Sequence, residues 1–287
     1  MHNELFSIGK YTVYAYGLLI GIGVISAYFS AIYRAKKIGL DSAPIDMLAI
    51  WCLLGGALGA KLLYWITQLE NIIQNPALLL NVSEGFVLYG GVIGGIFTGY
   101  LYCKFKKISF IKYFDLVMPS VALAQGFGRL GCFMAGCCYG TTSNWFWGIT
   151  FPAGSLAPSG VPLVPTQLIS SVLDFALFFI LAFYAKRKKA DGQVAALYLI
   201  LYGIGRFVLE FFRGDLIRGN VGTLSTSQFI SLFVFAAGLV LLLAKQFGWF
   251  KFLSTTKKSG AEGNTPQVTD NKSSEQSENS KDNNELE

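Results

Sequence analysis

Residues 113–140, YFDLVMPSVALAQGFGRLGCFMAGCCYG, decide how this chain is read. The first part, 113–130, is apolar enough to enter a bilayer, yet it carries Asp115 near one end and Arg129 near the other. From Gly126 to Gly140 five glycines and three cysteines crowd around that arginine. A cation at membrane depth costs at least ~2.5 to 3.5 kcal/mol on insertion scales, so a chain that keeps one is expected to use it on an anionic substrate or ion.

Working outward, the composition names the solvent. Hydrophobic residues make up 53% of the chain and charged ones 14%, with a mean hydropathy of +0.49, which excludes a water-soluble domain. Apolar runs near 14–33, 47–66, 86–103, 113–130, 166–185, 193–212 and 227–246 approach the roughly 20 residues that cross a hydrocarbon core of ~30 Å. The expected fold is an all-α integral membrane protein of seven transmembrane helices, with an irregular outer-side segment after the fourth. Arg34, Lys36, Lys37, Lys104, Lys106, Lys107, Lys112, Lys186, Arg187, Lys188 and Lys189 fall between spans on one side. The opposite loops hold Arg213 and Arg218, so the positive-inside rule puts the N terminus outside and the C terminus in the cytoplasm.

No cleavable signal peptide is expected, because residues 1–13 carry Lys10 as their one basic residue and the first apolar run is too long for such a segment. Residues 1–253 read as the membrane domain. Residues 254–287 are rich in Ser, Thr, Asn, Lys and Glu without apolar periodicity, the pattern of a disordered cytoplasmic tail. The basic surplus lies in the cytoplasmic loops, whose natural partners are anionic membrane lipids rather than nucleic acid.

Glycines spaced by four, Gly17 and Gly21, Gly55 and Gly59, and Gly91, Gly95 and Gly99, form smooth stripes for helix packing. Polar groups within spans say more. Arg206, Glu210 and Arg213 recur at i, i+4 and i+7 and project from one helical face. They read either as a self-neutralising ion network or as half of a split clamp, in which Arg206 and Arg129 grip a phosphate while Glu210 fixes the guanidinium fork. Tyr16 and Tyr89 lie near outer span ends. Gly90 and Gly91 after Tyr89 are expected to open room for a ligand, which the phenol would hydrogen-bond or, with its pKa lowered by arginines, deprotonate.

Cys132, Cys137 and Cys138 are expected to begin an outer loop, where a disulfide, small thiols filling tight turns and a nucleophilic cysteine all remain open readings. Cys52 and Cys103 read as apolar filler. No metal and no cofactor are expected, since three clustered thiols without a histidine fall short of zinc's usual four ligands. Residues 140–165, with Trp145 and Trp147, read as an outer aromatic belt or a cover for the site.

Five motifs in register with the spans carry a resemblance. Tyr16-Gly17, Tyr89-Gly90-Gly91, Gly128-Arg129-Leu130-Gly131, Pro165-Thr166-Gln167-Leu168 and Arg206 to Arg213 together resemble the bacterial prolipoprotein diacylglyceryl transferases over roughly residues 6–247. The resemblance implies a multi-pass enzyme of the bacterial inner membrane. It would move the diacylglyceryl group of phosphatidylglycerol to the lipobox cysteine thiol of a prolipoprotein, releasing glycerol phosphate. By the same resemblance Arg129 and Arg206 bind the headgroup phosphate, Glu210 supports the arginine, and Tyr16 and Gly140 shape the site. Gly128, Cys132, Cys137 and Arg213 fall at positions that would line the substrate region.

The departures matter equally. Tyr89 stands where the family usually has histidine, Cys132 where it has asparagine, Cys137 where it has glutamate, and Val164 where a histidine precedes Pro-Thr-Gln. His2 is the one histidine in the chain, so no imidazole base is available in the membrane. Either Tyr89 or the field of the arginines would then activate the acceptor thiol. A relative serving a different acceptor, and a non-catalytic phospholipid-binding or transport protein, are the alternatives.

Overall fold

The computed structural model describes residues 4–8, 11–79, 85–214 and 220–246. The tail read as disordered, 254–287, lies outside the described residues. Seven helices of eighteen or more residues carry the architecture: α1 (Ala15–Lys37), α2 (Ala43–Thr67), α4 (Leu88–Phe105), α5 (Phe110–Ala135), α6 (Thr166–Tyr184), α7 (Gln193–Glu210) and α8 (Thr226–Gln246). A short helix, α3 (Leu69–Gln74), follows α2. Among the described residues six helices are long and apolar enough to cross a membrane. The exception is α4, where five glycines in eighteen residues dilute the hydropathy. Phe29, Phe97, Phe179 and Phe233 are each more than half exposed on long helices. Apolar surface of that extent needs a lipid solvent.

Helix pairs divide the bundle. α2 packs closely on α4, α1 on α5, α5 on α6, and α7 on α8, whereas α6 and α5 meet α7 more lightly. Gly90 shows how the first pair closes: a Cβ there would collide with the carbonyl oxygen of Gly59 on α2. A Cβ on Gly91 would come within 3.3 Å of the Gly56 oxygen. The expectation that Gly90 and Gly91 open room for a ligand is therefore corrected. Their missing side chains let two backbones touch, which is how small residues hold helices together in lipid.

Three two-stranded antiparallel ribbons lie outside the helices: β1 (Glu4–Ile8) with β2 (Tyr11–Tyr14), β3 (Ile149–Thr150) with β4 (Pro162–Leu163), and β5 (Asn220–Val221) with β6 (Leu224–Ser225). The segment read as irregular, between α5 and α6, thus has order of its own. Phe151, 1% exposed, packs there with Ala157 and Leu163 against Phe133 and Tyr139.

Two boundary expectations also change. Arg34 belongs to α1 rather than to a loop, and its Nη2 donates to Ser120 Oγ on α5 at 2.7 Å. Helix α5 runs to Ala135, so Cys132 sits in its last turn and not in the loop beyond.

Asp115 fixes the other end of α5. It is 1% exposed, and it accepts hydrogen bonds from the backbone N–H groups of Gly192 (2.7 Å) and Ala195 (2.9 Å) and from Lys188 Nζ (3.1 Å). Gly192 holds φ at 95° just before α7, and no side chain from within α7 caps that helix. Asp115 supplies the missing cap across the bundle, satisfying donors that a helix start leaves orphaned. Burial alone would lower the Lys188 pKa, but attraction and hydrogen bonds from Asp115, with Asp191, raise it above the ordinary lysine value. The stability that the raised Lys188 value contributes is present at neutral pH and is lost as pH rises through it.

Replacing Asp115 by Ala strips the cap and strands Lys188, a cost of about 1–3 kcal/mol for the unsatisfied groups. Thermal unfolding in detergent should shift down clearly for Asp115→Ala and less for Asp115→Asn, which keeps an acceptor. An unchanged midpoint for the alanine variant would remove Asp115 from this role.

Candidate functional site

The two arginines singled out by sequence meet in one place. Arg129 from α5, Ser170 and Asp174 from α6, and Tyr202 and Arg206 from α7 line a single cavity of about 210 Å³. Each helix contributes its polar residue from an otherwise apolar face, so the cavity is a charged chamber with hydrocarbon walls. In such surroundings charge interactions are far stronger than in water.

Arg206 is held on several sides. Its Nη2 lies 2.8 Å from Glu210 Oε2, an ion pair without hydrogen-bond alignment, and donates to Ser227 Oγ at 3.0 Å. Ser225 Oγ in turn donates to Glu210 Oε1 at 3.0 Å. Arg213 Nη1 stands 3.8 Å from the same Glu210 Oε2. One carboxylate therefore serves two guanidinium groups, as the i, i+4 and i+7 spacing anticipated. No carboxylate lies within ion-pair distance of Arg129 among the described residues, although Asp174 shares its cavity. Two guanidinium groups, Arg129 and Arg206, thus share the cavity with one carboxylate, that of Asp174.

Gly140 and Arg213 meet through their backbones. The N–H of Gly140 donates to Val164 O (2.9 Å), that of Thr141 to Phe212 O (3.0 Å), and that of Gly214 to Tyr139 O (3.2 Å). A Cβ on Gly140 would lie 2.7 Å from both Phe212 O and Val164 Cβ. Gly140 is thus the crossing point of three chain segments, and it sets where the end of α7, with Arg213, is anchored.

Tyr16 opens α1 and is 41% exposed. It lines a second cavity, of about 510 Å³, with Gly17, Leu18, Ala135, Cys137 and Leu156, and lies within electrostatic reach of Arg129 and all three nearby cysteines. Gly128 faces open space. Tyr89, 42% exposed on α4, is within interaction range of Tyr202.

The cysteines converge. Gly136, at φ 72°, ends α5 and folds the chain back, so that Cys137 N–H donates to Cys132 O at 3.1 Å. The sulfur atoms of Cys132, Cys137 and Cys138 all lie within 4.8 Å of one another, and each of the five cysteines carries a thiol. Hydrogen bonds from Cys132 and Cys138, then burial, push the Cys137 thiol well above its ordinary pKa, so it is protonated at neutral pH. α6 pins the turn: Gln167 Nε2 donates to Cys137 O and Thr166 Oγ1 to Cys138 O, both at 2.8 Å.

Sequence reasoning missed Asp174, Tyr202, Ser225 and Ser227. An acid inside an apolar run is a readable signal for Asp174; the serines sit outside the motif and carried none. It also missed Lys61, buried in α2 with its Nζ 5.1 Å and 5.3 Å from the ring centroids of Tyr64 and Phe86.

Comparison with known proteins gives a consistent result. The family model for prolipoprotein diacylglyceryl transferase matches residues 3–244. The phosphatidylglycerol–prolipoprotein diacylglyceryl transferase of Clostridium tetani is 47% identical over 247 residues, covering 86% of this chain and 99% of that protein. One of the two such proteins of Clostridium perfringens is 46% identical over 241 residues, with 83% and 92% covered. That of Finegoldia magna is 36% identical over 243 residues, with 84% and 94% covered.

Proposed function

This chain belongs to the prolipoprotein diacylglyceryl transferase family, and on that premise we propose that Arg129 and Arg206 grip the phosphate of phosphatidylglycerol while its diacylglyceryl group moves to a lipobox cysteine. The protein is a multi-pass membrane transferase that acts on phosphatidylglycerol and prolipoproteins. Its place is the bacterial inner membrane, with α4 as a seventh span, the N terminus outside and the C terminus in the cytoplasm.

The observation that carries the reading is the shared cavity of Arg129 and Arg206. In the transfer a thiolate forms a carbon–sulfur bond to the glyceryl carbon as the carbon–oxygen bond to phosphate breaks. The electron pair leaves with glycerol phosphate, whose charge grows from −1 toward −2. Two guanidinium forks at that oxygen favour the transition state over the ground state, which is what accelerates a reaction. Glu210 and Ser227 hold Arg206 in place before the lipid arrives. Tyr89 and Tyr16 offer hydroxyls to the lipid and acceptor, while Gly128, Gly140 and Arg213 shape the approach.

Purified protein with labelled phosphatidylglycerol and a lipobox peptide tests the reading. Labelled peptide supports it. Lipid consumed without peptide labelling would point to another acceptor, and saturable lipid binding without turnover to a carrier.

Two substitutions check the clamp. Arg129→Lys replaces a bidentate fork by a point charge, and kcat should fall on the order of 10²-fold; full activity would sink the clamp. Glu210→Gln leaves Arg206 and Arg213 without their shared counter-charge, so kcat/KM should drop while the protein still binds lipid. Equal activity in that variant would show that Arg206 needs no orientation by Glu210.

A further inference from the structure

The transfer needs a thiolate at neutral pH, and the chain has one histidine, His2. Three thiols stand ready instead. The sulfurs of Cys132, Cys137 and Cys138 lie within 4.8 Å of one another, and tetrahedral zinc with bonds of ~2.3 Å would hold them ~3.8 Å apart, a closure of about 1 Å at most. Side-chain rotation supplies a movement of that size without moving the backbone.

The backbone around them is fixed as a ligand cradle would be. Cys138 holds φ at 62°, a left-handed conformation uncommon for a residue with a side chain, and such outliers persist where the surroundings dictate them. Here the surroundings are the Gly136 turn and the two hydrogen bonds from Gln167 and Thr166 on α6. Gln167 is 1% exposed, and its Oε1 has no hydrogen-bond partner among the described residues. All three cysteines are partly exposed as residues, and the cavity of about 510 Å³ beside Tyr16 reaches Cys137. Cys132 lies three residues after Arg129 on α5, one turn away on the same face.

We propose that Cys132, Cys137 and Cys138 bind one zinc ion through three thiolates and leave its fourth position to the acceptor cysteine, whose thiol the metal holds as the attacking thiolate. The proposal rests on the transferase reading above. Three ligands fall short of a structural zinc site, but they match a catalytic one, which keeps a position open for substrate. Zinc binding releases three protons from the protein thiols to water, and the acceptor releases a fourth, since a coordinated thiol is deprotonated outright. A sulfur lone pair of the acceptor then forms the carbon–sulfur bond, glycerol phosphate leaves with the carbon–oxygen electron pair, and water takes the vacated position on zinc. Two zinc charges against four thiolates leave −2, and the attacking thiolate carries one of these into the carbon–sulfur bond.

The test uses the full chain in phosphatidylglycerol nanodiscs. Zinc-replete wild type should carry about one zinc per chain, and Cys137→Ser and Cys138→Ser close to none. Cobalt in place of zinc should give sulfur-to-metal charge-transfer absorption that intensifies with a lipobox peptide and not with its Cys→Ser counterpart. Peptide labelling should fall about 10²-fold in the serine variants while lipid binding stays. Should those variants fail to fold, the cobalt spectra of wild type with the two peptides decide alone. Wild type that takes up no zinc, zinc-free protein with full labelling, or a disulfide between two of the three cysteines would overturn the proposal. Cobalt spectra that respond to the cysteine peptide with no labelled product from wild type would support the metal site and overturn the transferase reading.

Discussion

Two guanidinium groups held between α5, α6 and α7 set the terms for the rest of this molecule. Ions moved out of water lose several kcal/mol each after relaxation, more than a few apolar contacts return, so each needs compensation at hand. Glu210 compensates Arg206 and Arg213 together, while Ser227 accepts a hydrogen bond from Arg206 and Ser225 donates one to Glu210. Arg129 shares its cavity with Asp174 but has no ion pair among the described residues.

That requirement explains why much of the site was legible. A charge inside an apolar run is improbable without a use, and Arg129, Arg206, Glu210 and Arg213 stood out on that ground alone. Their periodicity even gave the shared face. Asp174 and Tyr202 became meaningful only when α6 and α7 were brought beside α5, because neither belongs to a local pattern. Gly90 and Gly91 show the opposite failure. Absence of a side chain marks a close approach, but whether a ligand or a neighbouring backbone comes close is decided by tertiary packing, and here it is α2.

The seven long helices match the apolar runs to within a few residues at most ends, because hydropathy marks how far each apolar face extends. Ribbon β1–β2 and the small core around Phe151 were not seen, because two- to five-residue strands leave too short an alternation to read. For the three cysteines the sequence left a disulfide, small thiols filling tight turns and a nucleophile all open. What joins them is the left-handed turn at Gly136, which sends Cys137 back over the last turn of α5. A sequence spacing of five conveys proximity only once that turn is known.

The cap that Asp115 places on α7 also orders events in time. Its partners, Lys188 and Ala195, follow it by 73 and 80 residues. At ~5–20 residues per second of synthesis, about 4–16 s separate the acid from the groups that satisfy it. During that interval the carboxyl group on α5 lacks the N–H donors and the Lys188 ammonium that it meets in the folded chain. The nascent chain must keep that end of α5 at the wet edge of the bilayer until α7 arrives, and arrival of α7 is what draws it under cover.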